Sequence, residues 1–184
     1  MKKILILTLA ALFVFTGCSS KGEATEEKEY FDFTVTEFVD TLKDEYTIWL
    51  DLYSNFSYED GTSIARYTYE TTNDDIDTAV QYVLSYDSVN KKVSQISVDV
   101  DKNFMLDVEG AAFTRFLVHT GVVSSFIDPD TNTEVLNDTI ATGILESELQ
   151  AGIYEGANFS VVTTDMELSE SFSAVFLPSE EKTK

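Results

Sequence analysis

Residues 46–69 read YTIWLDLYSNFSYEDGTSIARYTY, and this stretch decides the fold. Tyr46, Ile48, Leu50, Leu52, Phe56 and Tyr58 fall on one face; Thr47, Asp51, Asn55, Ser57 and Glu59 fall on the other, with Trp49 and Tyr53 among them. A period of two is the mark of a half-buried strand. Asp60-Gly61 then predicts a two-residue type I′ turn, which needs positive φ at both central residues. Pairing Glu59 with Thr62 sets Phe56 opposite Ala65, Ser54 opposite Tyr67 and Leu52 opposite Tyr69. The same register sets Asn55 across from Arg66 and Tyr53 across from Thr68. The apolar faces of the two strands coincide in that register, and a slip of one residue would put them on opposite sides.

Downstream the alternation continues. Val80, Tyr82, Leu84 and Tyr86 share a face, and Ile96, Val98 and Val100 alternate with Ser97 and Asp99. Pairing Ser88 with Lys92 across the loop at Val89-Asn90-Lys91 sets Leu84 opposite Ile96 and Tyr82 opposite Val98. The result is a four-stranded antiparallel meander with one apolar face. Upstream, Thr34-Val35-Thr36-Glu37 has the capping-box form. Val35, Phe38, Val39 and Leu42 follow at helical spacing, so a first helix is expected to end near Glu45.

Beyond the meander the period lengthens. Phe104, Val108, Ala112 and Phe116 step by four through a second helix over 103–127, with a break expected near Gly121. Thr131-Asn132-Thr133-Glu134 repeats the capping-box form, and Leu136, Ile140, Ile144 and Leu149 mark a third helix. Gly152 to Gly156 reads as its breaker. Phe159, Val161 and Thr163 form one further strand, and Phe172, Ala174 and Phe176 another. Runs of strands segregated from runs of helices indicate an α+β fold. The expected architecture is one antiparallel sheet, a four-stranded meander plus a C-terminal hairpin, with about three helices packed on one face.

The N-terminus is built differently. Lys2 and Lys3 precede an apolar run from Ile4 to Phe15 that is too short to span a bilayer, which needs about 20 residues in a helix. A charged start, a short apolar run and small residues at its end read as a secretory signal. Phe15-Thr16-Gly17-Cys18 then resembles the lipobox of bacterial lipoproteins; the family prefers Leu at the position of Phe15, while Thr16, Gly17 and Cys18 fit. The resemblance covers about the first twenty residues. It implies cleavage between Gly17 and Cys18, a diacylglyceryl thioether on the Cys18 sulfur, and residence at the cell membrane on its extracytoplasmic face. Stable anchoring follows from burying two or more acyl chains, each methylene contributing about 0.8 kcal/mol. Cys18 is the sole cysteine, so neither a disulfide nor a free thiol is expected in the exported protein.

Residues 1–17 are therefore expected to be removed as the lipoprotein signal peptide. Residues 18–29, which hold no large apolar side chain, form a lipid-anchored tether that cannot bury surface. Residues 30–178 make a single α+β domain, and 179–184 a polar tail. The chain has 33 acids against 12 Lys and Arg, a net charge of −21. Loss of Met1–Gly17 takes Lys2 and Lys3 and no acid, so −21 becomes −23. A surface this acidic repels nucleic acid, whose binding requires cations that displace counterions, and it stands off anionic headgroups. Contact with the membrane is expected through the lipid on Cys18 alone.

Catalytic constellations are missing from the sequence. His119 is the only histidine and lies in an apolar helix, where a core position with a backbone hydrogen bond is expected. A multi-histidine zinc site and a cysteine nucleophile are excluded by composition. There is no G-x-S-x-G elbow and no phosphate-cradling glycine loop. Asp99-x-Asp101-x-Asn103 and Asp128-x-Asp130-x-Asn132 resemble the start of a calcium loop. The turn glycine is replaced by Phe104 or Thr133 and the bidentate Glu by Gly110 or Thr139, so turns and caps are expected instead. The sequons at Asn55, Asn137 and Asn158 are chance in a bacterial chain. Neither a cofactor nor a metal is expected.

What remains is the outward face of the first hairpin. Trp49 and Tyr53 lie there four residues apart, beside Arg66, one of the two arginines. Trp, Tyr and Arg are the side chains enriched in binding hot spots; the alternative is that the C-terminal hairpin or a helix covers this face and buries them, since large aromatics usually end up buried. The expected activity is non-enzymatic binding of a protein or envelope component through Trp49, Tyr53 and Arg66. A small-molecule receptor associated with a transporter is the alternative, and would show an apolar pocket between sheet and helices. A carboxylate-dependent hydrolase would show two convergent acids, one with a raised pKa.

Overall fold

The computed structural model describes residues 29–69, 80–101, 109–146, 151–156, 158–166 and 171–179. The expected signal peptide, Cys18, the tether up to Lys28, the turn at 71–77, the start of the second helix at 103–108, Leu149 and the tail from 180 lie outside these residues. Among the described residues there are three helices and seven strands: α1 Val35–Tyr46, β1 Leu50–Ser57, β2 Thr62–Tyr69, β3 Val80–Asp87, β4 Val93–Asp101, α2 Glu109–Ile127, α3 Thr133–Glu146, β5 Ala151–Glu155, β6 Phe159–Met166 and β7 Ser171–Pro178. The strands form one sheet in the order β1-β2-β3-β4-β7-β6-β5, antiparallel at every pairing. The fold is α+β.

Register explains how the core is assembled. Ala65, Leu84, Ile96, Phe176, Val161 and Tyr154 stand in one row across six strands, and Tyr67, Tyr82, Val98, Ala174, Thr163 and Gly152 in the next. These rows alternate with Arg66, Val83, Ser97, Val175, Val162 and Ile153, which point to the other face. All three helices meet the first face. Phe38 of α1 and His119 of α2 lie against Tyr82, and a Cβ on Gly152 would lie 3.2 Å from Cα of Ile140 in α3. The layer between is filled by rings: Phe33, Phe38 and Phe126 pack together at one end, and Phe113, Phe116 and Phe172 at the other.

Local signals hold at several element ends. Thr34 caps α1 in a full capping box, accepting from Glu37 N while the Glu37 carboxylate accepts from Thr34 N at 2.7 Å. The chain before it is pinned by Phe31 N donating to Val93 O at 2.8 Å and Val93 N to Phe33 O at 3.2 Å. The β3–β4 register sets Leu84 on Ile96 and Tyr82 on Val98, as the alternation predicts, but the expected Ser88–Lys92 pairing does not form: Asp87 N donates to Lys92 O at 2.9 Å, Tyr86 faces Val93, and a bulge between Ser85 and Tyr86 takes up the difference.

Four further expectations about the elements are corrected. First, the β1–β2 turn is a three-residue loop, not type I′. Tyr58 N donates to Thr62 O at 2.8 Å and Gly61 N to Tyr58 O at 3.2 Å; Gly61 has φ 81°, and Asp60 is not left-handed. The extra residue shifts the register by one, so Phe56 faces Ile64, Asn55 faces Ala65 and Ser54 faces Arg66. Left uncorrected, that shift would turn Leu50 and Leu52 away from the helices. A β-bulge between Leu52 and Ser54, with Tyr53 as the extra residue, restores them: Leu52 faces Tyr67 and Leu50 faces Tyr69.

Second, 151–155 is a strand and not simply the end of a helix. Gly152 permits this, because α3 passes so close that a Cβ on Gly143 would lie 2.3 Å from Gly152 Cα. Third, α2 runs unbroken through Gly121. Fourth, α3 is capped one residue later than the motif suggests: Asn132 Oδ1, not Thr131, accepts from Glu134 N and Val135 N at 3.1 and 3.2 Å.

Candidate interaction surface along the end strand

β1 ends the sheet, and the turn and bulge just described decide what it presents. Beyond the bulge the helix-facing positions go to Asn55 and Ser57, while Phe56 turns to the opposite face. The strand therefore does not bury its apolar residues. Leu52 is 56 % exposed, Phe56 52 % and Tyr58 54 %, and the expectation of a buried apolar face on this strand holds only for Leu50, which packs against the core. An end strand has one strand neighbour, so its side chains find half the cover available to β3 or β4. Polar links fasten its hairpin end: the Ser57, Ser63 and Ser88 hydroxyls form a chain with steps of 2.8 and 2.8 Å, and the Tyr86 hydroxyl donates to Asn55 Oδ1 at 3.0 Å.

The three residues singled out by sequence are all exposed, Tyr53 at 77 % and Trp49 at 59 %. They are not one cluster. Arg66 stands across from Ser54, the neighbour of Tyr53 in the bulge, so these two share a locale. Trp49 precedes β1, four residues and roughly 13 Å of extended chain from Tyr53. Its cation is Lys43 of α1, whose Nζ lies 4.5 Å from the ring centroid. The sequence reading missed Leu52, Phe56 and Tyr58 as surface residues, and the signal that could have found them is the polar pair Asn55 and Ser57 interrupting the alternation.

Two other groups, His119 and Asp99, carry titratable side chains that burial perturbs. His119 is 4 % exposed, and its partner is not backbone: Nδ1 lies 2.6 Å from the Tyr82 hydroxyl, with the Tyr69 ring 5.2 Å away. Burial, then the Arg115 charge, pulls its pKa down to about 4, so the imidazole is neutral at pH 7. Burial and Tyr69 push the Tyr82 phenol up. The pair is closed to solvent and positions two elements on each other; it reaches no external substrate. Thr120 Oγ1 and Arg115 Nη1 beside it are buried without a hydrogen-bond partner.

Asp99 on β4 faces away from the helices. Burial raises its carboxyl above the ordinary range, opposed by the Ser173 and Ser97 hydroxyls that donate to it. Its cross-strand neighbours are Gln81 and Ser173, not a second acid. Asp128 Oδ1 accepts from Asp130 N at 3.1 Å and Asn132 caps α3, so both serve the turn. Among the described residues, no group of three or more His, Cys, Asp or Glu is placed to hold a metal, and no helix is long and apolar enough to cross a membrane.

No protein family, curated protein or solved structure matches this chain.

Proposed function

We propose that this is a lipid-anchored extracytoplasmic protein that binds a protein or envelope component without catalysis, using the β1 end strand. The carrying observation is the concentration of exposed large apolar side chains, Trp49, Leu52, Tyr53, Phe56 and Tyr58, along the β1 edge, which has no second strand neighbour among the described residues. Large apolar patches on a soluble domain mark interaction sites. The lipobox-like Phe15–Cys18 supports the anchor and the location. The ring-filled layer between helices and sheet gives no support to a small-molecule receptor, and Asp99, whose cross-strand neighbours are Gln81 and Ser173, gives none to a two-carboxylate hydrolase.

The test replaces Trp49, Tyr53 and Arg66 together by alanine and compares capture from envelope extract with the unaltered protein. All three side chains are exposed, so the thermal midpoint should hold while capture is lost. Undiminished capture by the triple variant would reject the surface.

A further inference from the structure

We propose, building on the binding role above, that β1 takes up an extended polypeptide bearing lysine or arginine, which adds as an eighth strand. Main-chain geometry supplies the first argument. Tyr58 N donates to Thr62 O, so Thr62, Ile64, Arg66 and Thr68 turn their backbone groups toward β1. Their alternates, Ser63, Ala65, Tyr67 and Tyr69, stand opposite Ser57, Asn55, Leu52 and Leu50. Those four β1 residues therefore point their N–H and C=O groups outward, which is the template that strand addition uses.

Charge supplies the second argument and selects the occupant. β1 carries Asp51 and no base, and exposed Glu59 and Asp60 follow at its turn; against these stand Arg66 across from Ser54 and Lys43 over Trp49, in a chain of net charge −21. A second copy of this chain would bring the same excess of acid to the contact, and an anionic bilayer would be repelled. A cationic strand is attracted, and it gains again from the aromatic faces. Lys43 over Trp49 at 4.5 Å shows the chain's own ammonium using one of them. Tyr53, Phe56 and Tyr58 offer three more along the same edge.

The probe is a synthetic octapeptide alternating lysine with threonine, compared with the same peptide carrying glutamate. Trp49 is the only tryptophan, so its fluorescence reports the edge directly. The lysine peptide should bind at least about tenfold more tightly than the glutamate peptide, and less tightly as salt rises. Binding should also slow hydrogen exchange at the Asn55 and Ser57 amides. Asn55→Pro removes one outward N–H without touching a β1–β2 bond and should weaken binding. Should that variant lose its cooperative melt, Ser57 N-methylated by semisynthesis replaces it.

Equal affinity for both peptides, or binding with no change in exchange at Asn55 and Ser57, overturns the proposal. So does a concentration-dependent dimer that protects those amides, or binding to vesicles of phosphatidylglycerol in place of the peptide. The two readings fail separately. If the lysine peptide does not bind while the Trp49, Tyr53 and Arg66 triple variant still loses envelope capture, the binding role stands and the cationic strand falls.

Discussion

The Tyr82 hydroxyl lies 2.6 Å from Nδ1 of His119, joining the middle of the sheet to the middle of α2. Burial of the ring, and then the Arg115 charge, tie stability to pH. His119 in the folded chain has a pKa of about 4 against an ordinary 6.5. In the unfolded chain it gains a proton near pH 6.5 that the folded chain refuses until about 4, so its contribution is full above 6.5 and is lost as pH falls through that window. The loss should be on the order of 3 kcal/mol at pH 4. Urea unfolding of the protein and of His119→Asn, which keeps an acceptor but does not titrate, isolates the effect: the difference between them should shrink as pH falls. Tyr82→Phe should cost about 1–3 kcal/mol at pH 7 by leaving the buried ring nitrogen unpaired.

Asp99 behaves in the opposite sense. Its folded pKa is raised, so the ionised carboxylate is a net burden at neutral pH that acid relieves. Asp99→Asn removes the charge and keeps an oxygen for the Ser97 and Ser173 hydroxyls. The variant should be more stable at pH 7, seen as a higher thermal midpoint, with the gain vanishing in acid as the carboxyl is protonated in both states.

The glycines of the two later helices should respond with opposite signs. Gly143→Ala drives a methyl to 2.3 Å from Gly152 Cα, a backbone atom that cannot yield cheaply. It should cost about 3 kcal/mol or detach β5 from α3. Gly121→Ala in α2 meets nothing within 4 Å and should stabilise by about 0.5–1 kcal/mol through helix propensity. Chemical denaturation of the pair decides it; equal costs would place the α3–β5 contact in error.

Lipid attachment is tested apart from the domain. Cys18→Ser should abolish incorporation of labelled palmitate and move the protein from the membrane fraction to the soluble one. Mass spectrometry of native material showing a bare thiol at Cys18 with residues 1–17 still attached would overturn the anchor and the location with it.

The sequence by itself determined what depends on neighbours along the chain: the α+β class, the three helices, the cap at Thr34, and the facing of Leu84 with Ile96 and Tyr82 with Val98 in β3 and β4, though not the pairing at their loop, where a bulge at Ser85–Tyr86 intervenes. It put Trp49, Tyr53 and Arg66 opposite the apolar face but left open whether another element covers them, and the structure leaves them exposed. The tertiary structure decided what depends on competition between distant segments. Asp60-Gly61 suits either a two-residue turn or a three-residue loop, since Gly61 takes a positive φ in both. The choice fell to the register that β2 must keep with β3, and Tyr53 took up the difference as a bulge. β5 was hidden for a like reason: its five residues become a strand through the partner β6 and through the two glycines that let α3 lie against it. Local patterning fixes which face of an element is apolar, but only packing fixes how far that face is covered, and on β1 the cover stops at Leu50.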